Sequence, residues 1–167
     1  MAYLEKEIFV RKSRLPNAGK GLFTRIFIPK GTRIVEYKGE ILTWKEAEAM
    51  ADDRNGYVFY VFSNHVIDAW PTKQHVARYA NDAKGLTRVK GLTTNAEYKV
   101  HKRRCYITAI KDIPANSEIF VEYGKEYWDA IRYNIRDEAR QKRAREKKKL
   151  AKKAKKTKKA TRKRPSK

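Results

Sequence analysis

Short apolar runs, each followed by turn-forming residues, dominate the first 123 residues of this chain. Apolar runs of about four to eight residues bounded by Gly, Pro, Asn or Asp are typical of β-strands. The pattern predicts strands at 7–11, 21–28, 33–37, 57–62, 65–67, 105–110 and 118–123. Ser63 and Asn64 are predicted to form the tip of a hairpin between two of them. Many short strands at this spacing favour a β-rich α+β core over alternating βαβ units.

One helical window, residues 43–52, interrupts the series of strands. Thr43 is a suitable N-cap, and Glu46 follows three residues later, as in a capping box. The Ala, Glu and Met residues that follow are good helix formers. We therefore expect one short helix between the third and fourth predicted strands.

The character of the sequence changes after Tyr127. Trp128, Ile131 and Ile135 recur at helical spacing among strong helix formers, which predicts a C-terminal helix over 129–146. Residues 147–167 are a low-complexity run of Lys, Ala, Thr and Pro. Such a run buries too little apolar surface to offset the entropy of ordering, so a basic disordered tail is predicted there.

Positive charge is concentrated at the C-terminus. Residues 1–135 hold 23 basic and 16 acidic side chains, whereas residues 136–167 hold 18 and 3. A cationic segment of this density predicts binding of residues 140–167 to the phosphates of nucleic acid. Aromatic residues are absent after Tyr133, so sequence-blind backbone binding is favoured over base stacking. A nuclear import signal and a solubility tail are compatible alternatives.

Cysteine and histidine usage argues against a metal centre. The single cysteine, Cys105, excludes an intramolecular disulfide and a Cys-rich zinc cluster. His65, His75 and His101 are scattered and lack metal-ligand spacing. No apolar run reaches the roughly 18 residues of a membrane span, and no secretory signal is expected. The composition predicts an intracellular protein without a structural metal.

A series of motifs in residues 5–128 resembles the SET domain, the β-rich fold of most protein-lysine methyltransferases. The glycine-containing entry at 19–23 and the Tyr-Lys-Gly-Glu at 37–40 come first, followed by strands similar to Y-x-F and I-D-A at 57–59 and 67–69. Residues 78–83 are similar to R-F-x-N-H-S and residues 95–98 to N-C-x-Y. Residues 113–118 match the I-P-x-G-E-E turn, and residues 118–124 match the E-L-x-F-D-Y-G end motif. Their common order across three-quarters of the chain makes chance assembly improbable.

The resemblance implies a fold of several small sheets with a knot-like C-terminal segment, and transfer of a methyl group from S-adenosyl-L-methionine to a protein lysine. Tyr123 matches the tyrosine of this last motif and is the implied catalytic residue. Tyr37 and Tyr98 match positions that line the lysine channel in several relatives. Val121 stands where many relatives have Phe or Tyr, so the number of methyl groups added stays open.

The resemblance also implies a set of cofactor-binding residues. Backbone groups at Lys20 and Gly21 would approach the methionine moiety, because glycine permits close approach of a ligand to the main chain. Trp128 falls where relatives often place an aromatic ring against adenine. The remaining implied cofactor-binding residues are Tyr57, Arg78, Asn81 and Asp82. Asp82 and Ala83 depart from the family, which usually has His and Ser at these positions.

Several functional alternatives are open at this stage. The main expectation is a histone-lysine methyltransferase of the nucleus, or of host chromatin, with a nucleic-acid-binding tail. A catalytically inactive chromatin- or DNA-binding protein is one alternative, and a cytoplasmic enzyme acting on ribosomal proteins or on its own lysine-rich tail is another. A minimal domain without zinc-binding flanks fits a viral or bacterial effector as well as a cellular enzyme. A homodimer is possible.

Overall fold

The computed structural model describes residues 4–50 and 55–161. Within these residues the chain forms ten short strands, two α-helices and two 3-10 turns, the latter at Asn55–Tyr57 and Val76–Tyr79. The first strands and helix are β1 (Ile8–Lys12), β2 (Lys20–Thr24), β3 (Arg33–Tyr37), β4 (Glu40–Leu42) and α1 (Trp44–Ala49). The others are β5 (Val58–Phe62), β6 (His65–Asp68), β7 (Asn81–Asp82), β8 (Ala96–His101), β9 (Arg104–Ala109), β10 (Phe120–Val121) and α2 (Lys125–Thr161). The predicted β-rich α+β class is confirmed.

The strands form four small sheets. β1 and β2 are an antiparallel pair, β3-β9-β8 and β4-β6-β5 are antiparallel three-stranded sheets, and β7 and β10 are a parallel pair. β5 and β6 meet at Phe62 and His65, which confirms the predicted hairpin around Ser63 and Asn64. β4 and β8 were not predicted, because Glu40, Glu97 and Lys99 interrupt their apolar character.

The core is built from the buried strands at the centre of these sheets. β9 lies between β3 and β8, and all but its first residue are buried, including Cys105 and Ile107. Leu22 and Phe23 of β2 are also fully buried. Burial on both faces explains why these strands read as continuous apolar runs.

The last strand of this core, β10, is surrounded by distant parts of the chain. The Ile119 amide donates to the Leu22 carbonyl at 2.8 Å, and Phe120 pairs with Asn81 in the parallel ladder. The side chain of Asn95 completes the enclosure: its Oδ1 accepts from the Phe120 amide at 2.8 Å and its Nδ2 donates to the Glu118 carbonyl at 2.9 Å. Segment 117–123 is therefore held by three regions that are far apart in sequence, which is the knot-like arrangement expected for this C-terminal segment of the fold.

Helix α1 begins as predicted. The Glu46 amide donates to the Thr43 hydroxyl at 3.3 Å, and the Glu46 carboxylate accepts from the Thr43 amide at 2.8 Å. This reciprocal pair is a capping box. The helix ends at Ala49, and residues 51 and 52 of the prediction lie outside the described residues.

Helix α2 is longer than the sequence analysis predicted. It begins at Lys125 and continues to Thr161, so the predicted disorder from residue 147 is wrong as far as Thr161. Lys and Ala are among the best helix formers, and this preference outweighs the lack of an apolar face. Residues 162–167 of the predicted tail lie outside the described residues. The chain divides into two compact units, Met1–Tyr123 and Gly124–Lys167.

Candidate active site

Three aromatic rings from three different strands meet in the first unit. Tyr37 ends β3 and Tyr98 lies on β8, and both strands pair with β9. The ring centroids of Tyr37 and Tyr98 are 5.4 Å apart in an edge-to-face arrangement. Phe59 of β5 is 4.9 Å from Tyr98 and 6.1 Å from Tyr37. The structure therefore brings together the two tyrosines that the resemblance placed in a lysine channel.

The surroundings keep these phenols neutral. Burial raises the pKa of Tyr37 above its ordinary value, and Cys105 adds to the increase. Burial also raises the pKa of Tyr98 well above its ordinary value, with further contributions from Tyr37 and Tyr123. Because a phenolate is disfavoured in such surroundings, both side chains stay protonated at physiological pH.

Tyr123 is fixed at both its main chain and its hydroxyl. Its amide donates to Oδ2 of Asp82 at 2.9 Å, and its hydroxyl donates to the Ala80 carbonyl at 2.8 Å. The Tyr37 hydroxyl likewise donates to the Tyr57 carbonyl at 2.9 Å. The hydroxyl groups of Tyr123 and Tyr37 therefore both donate their protons to main-chain carbonyls. The lone pairs of each hydroxyl oxygen can accept a hydrogen bond from a ligand.

Three of the predicted cofactor-binding residues converge on one buried carboxylate. Asn81 Nδ2 donates to the Lys20 carbonyl at 2.9 Å and to Glu118 Oε1 at 3.3 Å. Gly21 lies directly against the same carboxylate, because a Cβ at this position would come 2.1 Å from Glu118 Oε1. Lys20, Gly21 and Asn81 are thus held as a group at the start of β2.

Glu118 is a site residue that the sequence analysis did not single out. It is 1% exposed, and its carboxylate also accepts from the Ser13 hydroxyl at 2.6 Å and from the Arg14 amide at 2.8 Å. The position of the Glu118 carboxylate is therefore fixed by three segments of the chain, which contribute Ser13 and Arg14, Gly21, and Asn81. In the sequence, Glu118 is marked only by its place in the motifs at 113–118 and 118–124, which does not indicate what its carboxylate contacts.

Arg78 and Tyr57 form a second group beside the aromatic cluster. The Arg78 guanidinium lies 4.2 Å from the ring centroid of Tyr57, and Nη1 donates to the Trp70 carbonyl at 2.7 Å. Its Nε is buried and has no hydrogen-bond partner among the described residues. Trp70 lies edge-to-face with Tyr57 at 5.2 Å and was missed, because nothing in its local sequence marks it.

The remaining two predicted cofactor residues lie in different surroundings. Asp82 is buried and accepts hydrogen bonds from two main-chain amides, those of Lys84 and Tyr123. Trp128 lies in α2, in the second unit, with its ring edge-to-face against Tyr127 at 5.0 Å. Its predicted contact with adenine stays a prediction.

No group of three or more His, Cys, Asp and Glu side chains is arranged to hold a metal ion in residues 4–50 and 55–161. In the same ranges, no helix combines the length and apolar character of a membrane span.

Comparison with known proteins identifies the first unit. Residues 19–124 match the SET domain family. The chain is 29% identical over 131 residues to the histone-lysine N-methyltransferase EZH2 of Chaetomium thermophilum, an alignment that covers 73% of this chain and 8% of the relative. The chain thus spans only a small part of that relative's length.

Solved structures show the same similarity. One is ctPRC2 in an autoinhibited conformation bound to S-adenosylmethionine, with a TM-score of 0.56 and 29% identity over 70% of this chain and 15% of that one. Another is an active polycomb repressive complex 2 in the basal state, with a TM-score of 0.57 and 29% identity over 71% of this chain and 15% of that one. Sequence family and fold agree with the motifs at 19–23, 78–83 and 118–124, and the chain therefore belongs to the SET-domain family.

Proposed function

We propose that this chain is a protein-lysine N-methyltransferase that uses S-adenosyl-L-methionine. The observation that carries the proposal is the junction of two groups: Tyr123 is bonded to Ala80 and Asp82, which flank Asn81. Tyr98 and Tyr123 pack against the same hydrophobic core, and Tyr123 adds to burial in raising the pKa of Tyr98, so Tyr123 links the neutral aromatic cluster to the group formed by Lys20, Gly21 and Asn81. The relative of known activity is named a histone-lysine N-methyltransferase.

The residues present fit the cofactor. Gly21 has no side chain, and the Glu118 carboxylate fills the space where a Cβ would lie, so the part of this residue that a cofactor can approach is its main chain. We assign Lys20, Gly21, Asn81 and Arg78 to binding of the cofactor, with Arg78 supplying a buried cation beside Tyr57. S-adenosyl-L-methionine supplies a methyl group activated on a positively charged sulfur.

The chemistry requires a neutral amine. A lysine ε-ammonium has an unperturbed pKa near 10.4, so presenting it uncharged near neutral pH costs about 4 kcal/mol. A buried aromatic site lowers this cost, because desolvation favours the neutral form of an amine. A cationic sulfonium nearby acts in the same direction. The enclosed site therefore lowers the pKa of the lysine amine, so that its proton can be released to solvent water before the methyl group is transferred, without a strong base in the site.

The phenols orient the amine rather than remove its proton. Tyr37 and Tyr98 have raised pKa values, which makes them unsuitable as ionised bases near neutral pH. The hydroxyl of Tyr123 donates to Ala80, so its oxygen accepts a hydrogen bond from the amine. Alignment of nitrogen, methyl carbon and sulfur is an effect of position that supplies several kcal/mol. Tyr123 is the proposed catalytic residue, and Tyr37 and Tyr98 line the site.

We assign a histone as the substrate and the nucleus or host chromatin as the place of action. The similar solved structures belong to polycomb repressive complex 2, and the curated relative is a histone methyltransferase. This chain covers 8% of that relative, so the substrate and partners belong to the proposal.

Nucleic acid is the proposed second partner, bound by residues 140–167. This segment holds seventeen Lys and Arg residues and one Glu. Every described side chain from Glu138 to Lys152 is exposed. Because helix rises about 1.5 Å per residue, residues 140–161 extend about 33 Å, close to one turn of a DNA duplex. Binding to chromatin would raise the local concentration of a histone substrate.

The test is methyl transfer from radiolabelled S-adenosyl-L-methionine to core histones, with cofactor affinity measured by calorimetry. We expect transfer by the wild-type chain and a loss of about a hundredfold in kcat for Tyr123→Phe, as when one oriented polar group is removed from a transition state. Cofactor affinity should stay within about twofold, since the hydroxyl acts on the amine. Tyr133→Phe is the matched control, because Tyr133 is an exposed phenol of α2. Absence of both cofactor heat and labelled product would contradict the proposal.

A further inference from the structure

Asp82 stands where the family usually has histidine, and both oxygens of its carboxylate accept hydrogen bonds from main-chain amides of the first unit. It is 3% exposed. Oδ1 accepts from the Lys84 amide at 2.7 Å, and Oδ2 accepts from the Tyr123 amide at 2.9 Å. The Asp82 carboxylate is therefore bonded both to the turn that follows β7 and to the main chain of Tyr123.

We propose that Asp82 is a positioning residue for Tyr123 and does not act as a cofactor ligand. The proposal rests on the proposed function of Tyr123. It revises the sequence analysis, which assigned Asp82 to cofactor binding because of its place in the motif.

The geometry favours positioning because one hydrogen bond fixes the Asp82 carboxylate and the other attaches the Tyr123 amide to that carboxylate. The bond to Lys84 fixes the carboxylate in an Asx-type turn, two residues along the chain. The fixed carboxylate then holds the Tyr123 amide just beyond the β7–β10 pair, in which Val121 is opposite Asp82. The Tyr123 hydroxyl is bonded to Ala80, two residues before Asp82, so both ends of Tyr123 are attached to the same short segment.

A buried negative charge is well suited to this task. Hydrogen bonds from an amide to a carboxylate are shorter and stronger than those between neutral groups. Tyr123 is the last residue of the first compact unit, and no later strand of the described chain restrains it. The Asp82 side chain thus accepts the hydrogen bond from the Tyr123 amide that a neighbouring strand would accept if the β7–β10 pair were longer.

The substitution that tests the proposal is Asp82→Asn, which keeps the shape but has only one acceptor oxygen. We expect kcat to fall about tenfold to a hundredfold, the size of effect that a small displacement of a catalytic group produces. Affinity for S-adenosyl-L-methionine, measured by calorimetry, should change by less than about twofold. A large loss of cofactor affinity with kcat retained would instead make Asp82 a ligand and overturn the proposal.

A double-variant cycle separates positioning from a general structural defect. If Asp82 acts through Tyr123, the loss caused by Asp82→Asn should shrink to about threefold or less in a Tyr123→Phe background. Multiplicative losses would overturn the proposal. Asp112→Asn is the matched control, because the exposed Asp112 also accepts from a main-chain amide, that of Lys30 at 2.8 Å. Its kcat should match the wild type.

A measurement on the wild-type chain needs neither a variant nor activity. In hydrogen exchange followed by NMR, the amide protons of Tyr123 and Lys84 should be protected, because both donate to the Asp82 carboxylate. A Tyr123 amide that exchanges as fast as an unbonded amide would overturn the proposed contact. If the wild type transfers no methyl group, the proposed function and the kinetic role of Asp82 both fail. An active wild type with an unimpaired Asp82→Asn variant overturns the positioning role alone.

Discussion

The buried carboxylate of Glu118 determines what the neighbouring residues can be. It accepts hydrogen bonds from Ser13, Arg14 and Asn81, three groups that lie far from it in sequence. Removing water from a carboxylate is costly unless its oxygens are well bonded, and these three donors meet that requirement. The same oxygens occupy the space where a side chain at position 21 would lie. The glycine and the glutamate are therefore one structural unit.

Gly21→Ala is expected to destabilise the protein and weaken cofactor binding. The new methyl group would lie 2.1 Å from Glu118 Oε1, so the carboxylate must move and give up hydrogen bonds. Overpacking of this kind lowers the free energy of unfolding by about 1–3 kcal/mol. Chemical denaturation and calorimetry with S-adenosyl-L-methionine measure the two effects. In a Glu118→Ala background the alanine has room, so its effect should shrink; an equal effect there would refute the steric explanation.

Among the elements, β7 and β10 are the shortest strands, with two residues each, yet Asn81 lies in β7 and Tyr123 follows β10 by two residues. The two residues of β10 pair with β7, and Asn95 supplies two further hydrogen bonds to the same segment. The side-chain amide of Asn95 substitutes here for ladder bonds. The positions of Asn81 and Tyr123 therefore depend on Asn95 as well as on the strand pair.

Asn95→Asp tests this dependence. Aspartate keeps the acceptor for the Phe120 amide but loses the donor to the Glu118 carbonyl, and two oxygens would then face each other. We expect the free energy of unfolding to fall by about 1–3 kcal/mol, the cost of leaving a buried polar group unsatisfied. Asn64→Asp, at the tip of the β5–β6 hairpin, makes the same chemical change and should alter the value by less than about 0.5 kcal/mol. Equal losses for both variants would show that Asn95 is not a special contact.

For the molecule as a whole, the motifs with local signals were predictable and the long-range contacts were not. Strand β3 and the Thr43–Glu46 capping box follow from local composition and were predicted correctly. Glu118 acquires its role from Ser13, 105 residues earlier, and no local pattern encodes such a pairing. The structure brings Tyr37 and Tyr98 together and places Asn81 beside Lys20 and Gly21, whereas the roles that the resemblance implies for these residues, and for Asp82 and Trp128, stay predictions. Helix α2 was predicted to be too short, because the prediction considered how little apolar surface the Lys-rich and Ala-rich segment buries and not how strongly Lys and Ala favour a helix.

The charge of α2 leads to a prediction about the whole chain. Deleting residues 140–167 should weaken binding to a DNA duplex and reduce the slope of log affinity against log salt concentration, because that slope scales with the number of phosphates neutralised. Transfer to a short histone peptide should be unchanged, since the deletion retains every predicted site residue, including Trp128. Fluorescence anisotropy at several salt concentrations measures the slope. As a control that keeps the helix, replacing the lysines of 147–159 by glutamine should reduce the slope similarly, because glutamine retains helix propensity without charge. Full DNA affinity in both variants would assign nucleic-acid binding to the first unit, whereas loss only on deletion would mean that length and not charge is required.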